Sequence, residues 1–402
     1  MKHALIWAPA LVLALVLARP AAAENAPGVS DSEIKIGQTM PYSGPVSAAS
    51  ANGFAELAYF HMLNDEGGIN GRKINLISLD DGYSPPRTLE QTRKLIEEDG
   101  VAFIFGSVGT PTNAAIHKYL NDRKVPQLLI ETGAERWDDP AHFPWTMRFV
   151  PGYRMESRIY GRWIREHKPG AKVAVLYQDD DFGKDLLAGL KEGLGDSSAR
   201  IVATASYEVT DPNVDSQIIT LQSSGADTLL TAATPKFAAM SIRKTYDIGW
   251  RPLHFLDQIA SAINAVLRPA GIEKSIGVLS SAYMKDATDP RWKDDPAYHA
   301  WRAWMEKYNP RADPADIYNV YGYNVAMAVV QVLRQCGNDL SRENIMRQAT
   351  NLHDVALPML QPGITLSTGP ADYEPVKQLR LVRFDGQTWA PFGDVMEGML
   401  TK

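Results

Sequence analysis

The stretch "FIFGSVGTPTNAAI", from Phe103 to Ile116, is the part of the sequence that most constrains the fold. Its apolar run of β-branched and aromatic residues stops at Gly106, a loop of Gly, Ser and Thr follows, and Pro111 begins a predicted helix. A strand therefore delivers its carboxyl end to a helix N-terminus, where backbone N–H groups lack partners and the helix dipole favours an anion. The loop is a candidate to hold a phosphate, a substrate during a reaction, or a ligand that is only carried.

Strands and helices alternate on both sides of this stretch. Before it, "IKIGQTM" (34–40) and "KINLISLD" (73–80) each precede a helical segment, and "PQLLIE" (126–131) comes after it. The pattern then restarts with "KVAVLYQD" (172–179) and continues with further strands and helices. Short apolar strands that each pair with a helix are typical of a parallel sheet covered on both faces. Two successive sets predict an α/β protein with two doubly wound parallel-sheet lobes.

The last part of the chain adds mixed elements. Helices are predicted over 296–308 and 317–335, and Asp385-Gly386 between two strand-like runs predicts a β-hairpin. These elements are too few for a third core, so they must complete the two sheets already begun. The chain then has to cross between the lobes more than once, which predicts a multiply connected hinge.

Composition bounds the class of protein. With 402 residues, 45% hydrophobic and 22% charged, the chain can form more than one domain of an ordinary folded protein. Its net charge of −6 provides no general attraction to nucleic acid or to an anionic membrane, so no nucleic-acid partner is expected.

The first residues predict export. Lys2 precedes an apolar run from Ala4 to Ala18, and Ala21-Ala22-Ala23 forms a small-x-small cleavage site. We predict a signal peptide over residues 1–23, cut after Ala23, and a periplasmic location. The alternative is an N-terminal membrane anchor, for which the run is short.

Motifs of enzymes and metal sites are missing from the sequence. It contains no G-x-S-x-G, H-E-x-x-H, Walker or G-x-G-x-x-G motif, and its histidines do not have metal-ligand spacing. Cys336 is the single cysteine, so an intrachain disulfide and a thiolate cluster are both excluded. We therefore expect no cofactor, no metal and no enzymatic activity.

The remaining candidates are the loops at the ends of the predicted strands. In a doubly wound sheet, ligands bind outside the carboxyl ends of the strands. Their Ser, Thr and Gly residues suit hydrogen bonding to a small polar ligand, although the same residues also serve as turn formers and helix caps. Six loops qualify, the first of which contains Tyr42 and Ser43: "PYSGP" (41–45), "GSVGTPT" (106–112), "ETGAE" (131–135), "QDDDFG" (178–183), "AATPK" (232–236) and "LDQIAS" (256–261).

Several of these segments resemble one family. "SGPVS" (43–47), "NDEGGINGRKINLISLDD" (64–81), "QDDDFGKD" and the "GSVGTPT" loop are similar to periplasmic solute-binding proteins of the leucine/isoleucine/valine-binding type, which serve ABC importers. The resemblance implies the type I binding-protein fold, with two α/β lobes joined by a three-strand hinge. It places lobe one at 30–148 plus 283–356 and lobe two at 149–282 plus 357–400.

The resemblance also implies roles for individual residues. In the family, two loops of lobe one hold the carboxylate and amino groups of the ligand, and they correspond here to Gly109, Thr110, Glu131, Thr132 and Gly133. Lobe two supplies an aromatic ring and residues at its strand ends. The corresponding positions are Phe182, Thr234 and Asp257.

The sequence departs from the family at some of these places. Family prototypes have a disulfide in lobe one, where this chain has Tyr83 and Gly109, and many relatives cover the ligand with a Tyr, where this chain has Ala49-Ser50. Loss of that phenol enlarges or reshapes the pocket. Many relatives also carry a small residue in place of Glu131, whose carboxylate either pairs with a cationic ligand group or points to solvent.

The leading hypothesis is a non-enzymatic carrier of a carboxylate-bearing solute, a branched-chain or related amino acid, that delivers it to ABC permease subunits in the inner membrane as a monomer. The vacated Tyr position favours a second hypothesis, a carrier of aromatic or other organic acids. A ligand sensor for a membrane receptor and an exported α/β enzyme are the alternatives from other classes.

Overall fold

The computed structural model describes residues 25–398 of the chain, so the predicted signal peptide lies outside the described residues. Two parallel-sheet α/β lobes form the structure, as predicted. The first sheet is entirely parallel, in the spatial order β2-β1-β3-β4-β5. Its strands are β1 (Glu33–Met40), β2 (Lys73–Asp80), β3 (Ile104–Phe105), β4 (Gln127–Ile130) and β5 (Thr146–Arg148).

The second sheet has the order β12-β11-β10-β9-β8-β6-β7. The strands from β10 to β7 run parallel, whereas β11 is antiparallel to both of its neighbours. The predicted hairpin is confirmed, because the Asp385 N–H donates to the Thr388 carbonyl oxygen (3.1 Å) between β11 and β12. The strands are β6 (Val173–Gln178), β7 (Ile201–Tyr207), β8 (Thr228–Ala232), β9 (Leu253–Leu256), β10 (Leu279–Ala282), β11 (Gln378–Phe384) and β12 (Trp389–Glu397).

Helices cover the sheets. In chain order they are α1 (Ser50–Asp65), α2 (Pro85–Glu97), α3 (Thr110–Asp122), α4 (Tyr153–His167), α5 (Asp181–Leu194), α6 (Asp215–Ser223), α7 (Pro235–Asp247), the short α8 (Arg268–Ala270) and α9 (Ile272–Ser275), α10 (Pro296–Tyr308), α11 (Ile317–Cys336) and α12 (Arg342–Ala349). Strands β3, β4 and β8 are buried along their whole length, as expected for central strands with helices on both faces.

The last three helices return to the first lobe. Helix α11 is buried over most of its length, and it approaches α1 closely at Gly322, where a Cβ atom would lie 2.5 Å from the Asn52 carbonyl oxygen. Helix α12 is tied to the segment before β3, because Arg342 Nε donates to the Ala102 carbonyl oxygen (2.8 Å).

The chain therefore passes between the two sheets three times: after β5, after β10 and before β11. The second and third passages run side by side. The Lys285 N–H donates to Met359 (2.9 Å), and the Gln361 N–H donates to Tyr283 (2.8 Å). A hinge of several chain segments limits the relative motion of two lobes mainly to opening and closing.

Within residues 25–398, no helix combines the length and the hydrophobicity that a membrane span requires.

Candidate functional site

A cavity of about 30 Å³ lies between the lobes, where the carboxyl ends of their strands meet. Residues from the first lobe form one side and residues from the second lobe form the other. Because one water needs roughly 10–15 Å³ by this measure, the cavity has room for about two waters, and a larger ligand can enter only if the lobes separate. Five of the ten sequence-predicted site residues line it: Gly109, Thr110, Glu131, Phe182 and Thr234.

The loop after β3 supplies Gly109 and Thr110. Gly109 has φ 99° and ψ 146°, a conformation that is open to glycine alone, and it turns the chain into α3. A Cβ atom here would lie 2.4 Å from Cε2 of Tyr83. Thr110 begins α3, so the N-terminal end of that helix adjoins the cavity. This end of the cavity suits a negatively charged ligand group.

Glu131 lies beside that turn, at the end of β4. Two backbone hydrogen bonds hold the loops together, from the Glu131 N–H to the Ser107 carbonyl oxygen (2.9 Å) and from the Gly109 N–H to the Glu131 carbonyl oxygen (3.1 Å). The Asn52 side-chain amide donates to Glu131 Oε2. Burial raises the pKa of Glu131 to about 8, although the bond from Asn52 acts to lower it. Glu131 borders the cavity, and its raised pKa favours the neutral form of the carboxyl group near pH 7.

Thr132 and Gly133 lie directly behind the lining. Thr132 Oγ1 is 2.6 Å from Thr110 Oγ1 and accepts a hydrogen bond from Trp137 Nε1 (3.1 Å). The Gly133 carbonyl oxygen accepts the Tyr153 N–H (2.9 Å). Both residues hold the lining in place in this structure.

Arg148 holds the loop after β4, which carries Glu131, Thr132 and Gly133. The sequence analysis did not identify this residue. Its side chain is 1% exposed, and Nη1 donates to the carbonyl oxygens of Gly133 and Ala134 (3.2 Å each). Nη2 forms ion pairs with Asp138 (2.7 Å) and Glu374 (2.9 Å). A charged residue inside the apolar run "WTMRFV" was the sequence signal that could have identified it.

Phe182 and Tyr153 form the aromatic side of the cavity. Asp180 is the N-cap of α5, and its carboxylate accepts the Gly183 N–H (3.3 Å). Phe182 is the second residue of this helix, so its ring lies at the capped start of α5. The rings of Phe182 and Tyr153 meet edge to face, with centroids 4.9 Å apart. The sequence analysis identified Phe182 but missed Tyr153, the first residue of α4.

Thr234 places a second helix N-terminus at the cavity. It is the N-cap of α7, Pro235 follows it, and both line the cavity. The Thr234 N–H donates to the Tyr207 hydroxyl (3.0 Å), which itself bonds to Gln178 (3.1 Å). A helix N-terminus therefore adjoins the cavity from each lobe, through Thr110 on one side and Thr234-Pro235 on the other.

Tyr42 and Ser43 do not line this cavity. The Tyr42 hydroxyl is paired with Ser78 Oγ (2.7 Å), and burial raises the pKa of Tyr42 to about 12. Ser43 is exposed and donates both its N–H (3.0 Å) and its hydroxyl (2.7 Å) to Asp80. Contacts with the neighbouring strand β2 therefore use the polar side-chain atoms of both residues.

Asp257 lies at the predicted strand end, and it is not among the residues that line the cavity. It is completely buried, and Oδ2 accepts the Ala233 N–H (2.9 Å). Burial, together with the charge of nearby Glu156, raises the pKa of Asp257 well above its ordinary value. In this structure Asp257 positions the Ala233-Thr234 loop through Oδ2.

Ala49 lines the cavity, and it is one of the two residues that the resemblance places where many relatives have a covering Tyr. Its small side chain fills less of this side of the cavity than a Tyr side chain would. The Tyr83 ring packs against Gly109, so the two positions that the resemblance aligns with the disulfide of family prototypes are neighbours in space.

Direct contacts join the lobes beside the cavity. Asp185 on α5 accepts the N–H of Glu135, which follows the loop after β4 (2.8 Å). Arg136 and Asp181 form an exposed ion pair next to it (2.7 Å). Burial raises the pKa of Asp185 to about 6. The structure therefore shows the lobes in contact beside the cavity.

Two lobes with a three-passage hinge, and a cavity lined by strand ends and helix N-termini from both, define a two-lobed ligand-binding protein. The family model described as periplasmic binding protein matches residues 33–388, and the chain belongs to that family.

Individual relatives agree with this assignment. The chain is 24% identical over 285 residues to Leu/Ile/Val-binding protein homolog 7 of Brucella abortus, covering 68% of this chain and 70% of the relative. A substrate-binding periplasmic protein from Ralstonia solanacearum has a TM-score of 0.80 at 21% identity, with 90% of this chain and 100% of that one covered. A branched-chain amino acid ABC transporter structure from Thermus thermophilus with bound valine has a TM-score of 0.81 at 15% identity, covering 92% and 97%. The chain is therefore a periplasmic binding protein similar to those of the Leu/Ile/Val-binding type.

Proposed function

We propose that this protein is the substrate-binding component of an ABC importer and that it captures a small carboxylate-bearing solute between its lobes. The observation that carries the proposal is the pair of helix N-termini, at Thr110 and at Thr234-Pro235, which adjoin one cavity from opposite lobes. Two positive helix ends that converge on one cavity favour a ligand with a negative group. Lobe one spans 30–148 plus 283–356 and lobe two spans 149–282 plus 357–400 in this proposal.

The proposed cycle depends on closure. A ligand that contacts Thr110 on one lobe and Phe182 on the other stabilises the closed form through contacts that the open form lacks. Permease subunits in the inner membrane read the closed form, and the ligand leaves chemically unchanged, so the protein is a carrier and not an enzyme. It works as a monomer in the periplasm after removal of residues 1–23.

A branched-chain or related amino acid is the first candidate ligand, and the names of the relatives support it. Glu131 would then pair with the ammonium group, while Thr110 and Gly109 hold the carboxylate. Tyr42, Ser43, Thr132, Gly133 and Asp257 support the lining in this scheme.

An aromatic or other organic acid is the second candidate, and a specific feature favours it. The small side chain of Ala49 leaves room on one side of the cavity. The raised pKa of Glu131 favours its neutral carboxyl group, which can donate a hydrogen bond and needs no cationic partner.

A thermal-shift screen of L-amino acids and aromatic carboxylic acids tests the proposal, because ligand that binds the folded state raises the melting temperature by mass action. Titration calorimetry on the hits and recovery of unaltered ligand by mass spectrometry complete the test. If no small carboxylate raises the melting temperature, or if the bound compound is converted, the proposal is wrong.

A further inference from the structure

A second cavity, of about 60 Å³, lies next to the first, against the hinge. We call it the hinge cavity. Its lining comes from β10 and the passage after it, the start of α11, the loop after β9 and the β11–β12 pair. The residues used below are Gln258, Tyr283, Tyr318, Tyr321, Val382 and Trp389.

The hinge cavity and the cavity between the strand ends are neighbours. Glu131, Ile259 and Tyr318 line both of them. A ligand that enters the first cavity can therefore extend past Glu131 into the hinge cavity without a second route from solvent.

The walls of the hinge cavity are mainly aromatic and aliphatic. Tyr283, Tyr318 and Trp389 present rings, and Val382 adds an aliphatic surface. Walls of this kind suit a flat, apolar group such as an aromatic ring.

Two polar groups on these walls stand out. Within residues 25–398, the Tyr321 hydroxyl and Gln258 Nε2 have no hydrogen-bond partner, although Tyr321 is 2% exposed and Gln258 is 8% exposed. Two other polar groups of the lining are paired: the Tyr318 hydroxyl bonds to the Ile259 carbonyl oxygen (3.0 Å) and Trp389 Nε1 to the Ser261 carbonyl oxygen (2.8 Å). A buried polar group without a partner destabilises the folded protein, so a ligand atom that pairs with both groups would relieve this cost.

The charged residues near the two cavities indicate which end of the ligand lies in each cavity. The hinge cavity is bordered by Asp286, Asp289 and Arg291, and Arg291 Nε is paired with Asp289 (2.7 Å). A free carboxylate is disfavoured at this end, whereas the helix N-terminus at Thr110 favours it at the other end.

We propose that the hinge cavity is a second subsite for the same ligand and that it takes an aromatic ring with one hydroxyl group. The ring lies between Tyr283, Tyr318 and Trp389, and its hydroxyl accepts a hydrogen bond from Gln258 and donates one to Tyr321. The carboxylate of the ligand remains at Thr110. This inference rests on the proposed function and names the class of ligand, a hydroxylated aromatic carboxylate, with or without an amino group.

Titration calorimetry with five probes tests it: 3-(4-hydroxyphenyl)propanoate, 3-phenylpropanoate, L-tyrosine, L-phenylalanine and L-isoleucine. We expect one of the two hydroxylated probes to bind more tightly than its partner without the hydroxyl. In Tyr321→Phe, the affinity for the hydroxylated probe should fall about threefold to tenfold, while the affinity for its partner is unchanged. The matched control is Tyr323→Phe on the same helix, whose ring packs on Tyr59 outside both cavities.

The melting temperature of the ligand-free protein provides a second measurement. It distinguishes a hydroxyl that binds ligand from a hydroxyl that only stabilises the fold. Since the Tyr321 hydroxyl is buried without a partner, Tyr321→Phe should keep or raise the melting temperature while it weakens ligand binding. Ala282→Leu fills the hinge cavity from β10 and should abolish binding of the ring acids without affecting L-isoleucine.

The outcomes separate the two proposals. Tight binding of L-isoleucine with no binding of the ring acids overturns the second subsite and leaves the carrier function in place. Equal loss of affinity for hydroxylated and plain probes in Tyr321→Phe also overturns it. If none of the five probes binds, the ligand class is wrong, and the wider screen above then decides the carrier function.

Discussion

The hydroxyl oxygens of Thr110 and Thr132 lie 2.6 Å apart, and they join the first residue of α3 to the loop after β4. Thr132 also accepts a hydrogen bond from Trp137 (3.1 Å), so it remains paired when Thr110 is changed. The hydroxyl of Thr110 is thus oriented by its neighbour at the edge of the cavity, where it is available to a ligand carboxylate.

Thr110→Ala should therefore weaken ligand binding by about 1–2 kcal/mol, a loss of roughly 5- to 30-fold in affinity, because one hydrogen bond to a charged group is removed. Titration calorimetry measures it. Thr112→Ala is the matched control: its hydroxyl bonds to the Gly109 carbonyl oxygen (3.0 Å) in the same helical turn, and it does not line the cavity. If both variants bind like the wild type, Thr110 has no part in holding the ligand.

The pH dependence of stability should report on Glu131. Its pKa lies at about 8 in the folded chain, against an ordinary value of 4.5, so the folded state binds more protons than the unfolded state between these values. The stability associated with the neutral form of Glu131 is fully present below pH 4.5, and it is lost as the pH rises through 8. Glu131→Gln removes this dependence.

We expect the melting temperature of Glu131→Gln, relative to the wild type, to rise as the pH increases from 5 to 9. Melting curves of the two ligand-free proteins in matched buffers measure it. A constant difference across this range would show that Glu131 titrates normally and that burial does not raise its pKa.

The predictable part of the fold came from local patterns. The run Phe103–Gly106 followed by Pro111 predicted a strand end at a helix, and the structure has β3 and α3 there. Apolar strand runs and the Asp385-Gly386 turn depend on neighbours in sequence, so they can be recognised without coordinates.

The site was predictable only in part, because its support comes from distant residues. Asn52 reaches Glu131 across 79 positions of sequence, and no local pattern indicates that bond. Asp257 was placed at the correct strand end, but the Ala233 N–H determines where its carboxylate points. The hinge cavity forms where three passages of the chain meet, which periodicity does not reveal.

Gly109→Ala should destabilise the protein and weaken ligand binding together. A Cβ atom at φ 99° is strained, and it would lie 2.4 Å from Tyr83 and 2.7 Å from Thr112. The strain costs on the order of 1–3 kcal/mol before the contacts are counted. Urea unfolding measures the loss. Gly170→Ala is the control, since nothing lies within 4 Å of a Cβ atom there, and the two variants should differ by about 2 kcal/mol or more.

Asp185→Ala should weaken ligand binding without any contact to the ligand. Its carboxylate accepts the Glu135 N–H across the two lobes (2.8 Å), and loss of that bond destabilises the closed form that the ligand requires. We expect affinity to fall about fivefold, as for the loss of one hydrogen bond.

Asp181→Ala serves as its control on the same helix. Its ion pair with Arg136 (2.7 Å) is exposed, so its removal should change affinity by less than about twofold. Equal effects of the two substitutions in calorimetry would argue that the Asp185 bond does not stabilise closure.

Arg148→Met should produce the largest loss of stability among these variants. The buried guanidinium holds the carbonyl oxygens of Gly133 and Ala134, and it neutralises Asp138 and Glu374 (2.7 and 2.9 Å). Removal of one partner of a buried charge cluster leaves carboxylates and carbonyl groups unpaired, which costs about 3–5 kcal/mol. Urea unfolding should show this loss at pH 7.

The control for Arg148 is Arg123→Met, which breaks an exposed ion pair with Glu97 (2.9 Å) and should cost less than about 1 kcal/mol. Because Arg148 also fixes the loop that carries Glu131, ligand affinity should fall in Arg148→Met even at temperatures where the variant is fully folded. An Arg148→Met protein that is destabilised but binds ligand with wild-type affinity would show that the loop keeps its shape without the guanidinium. The Thr110–Thr132 contact and the Glu131 backbone bonds would then be sufficient to form the site.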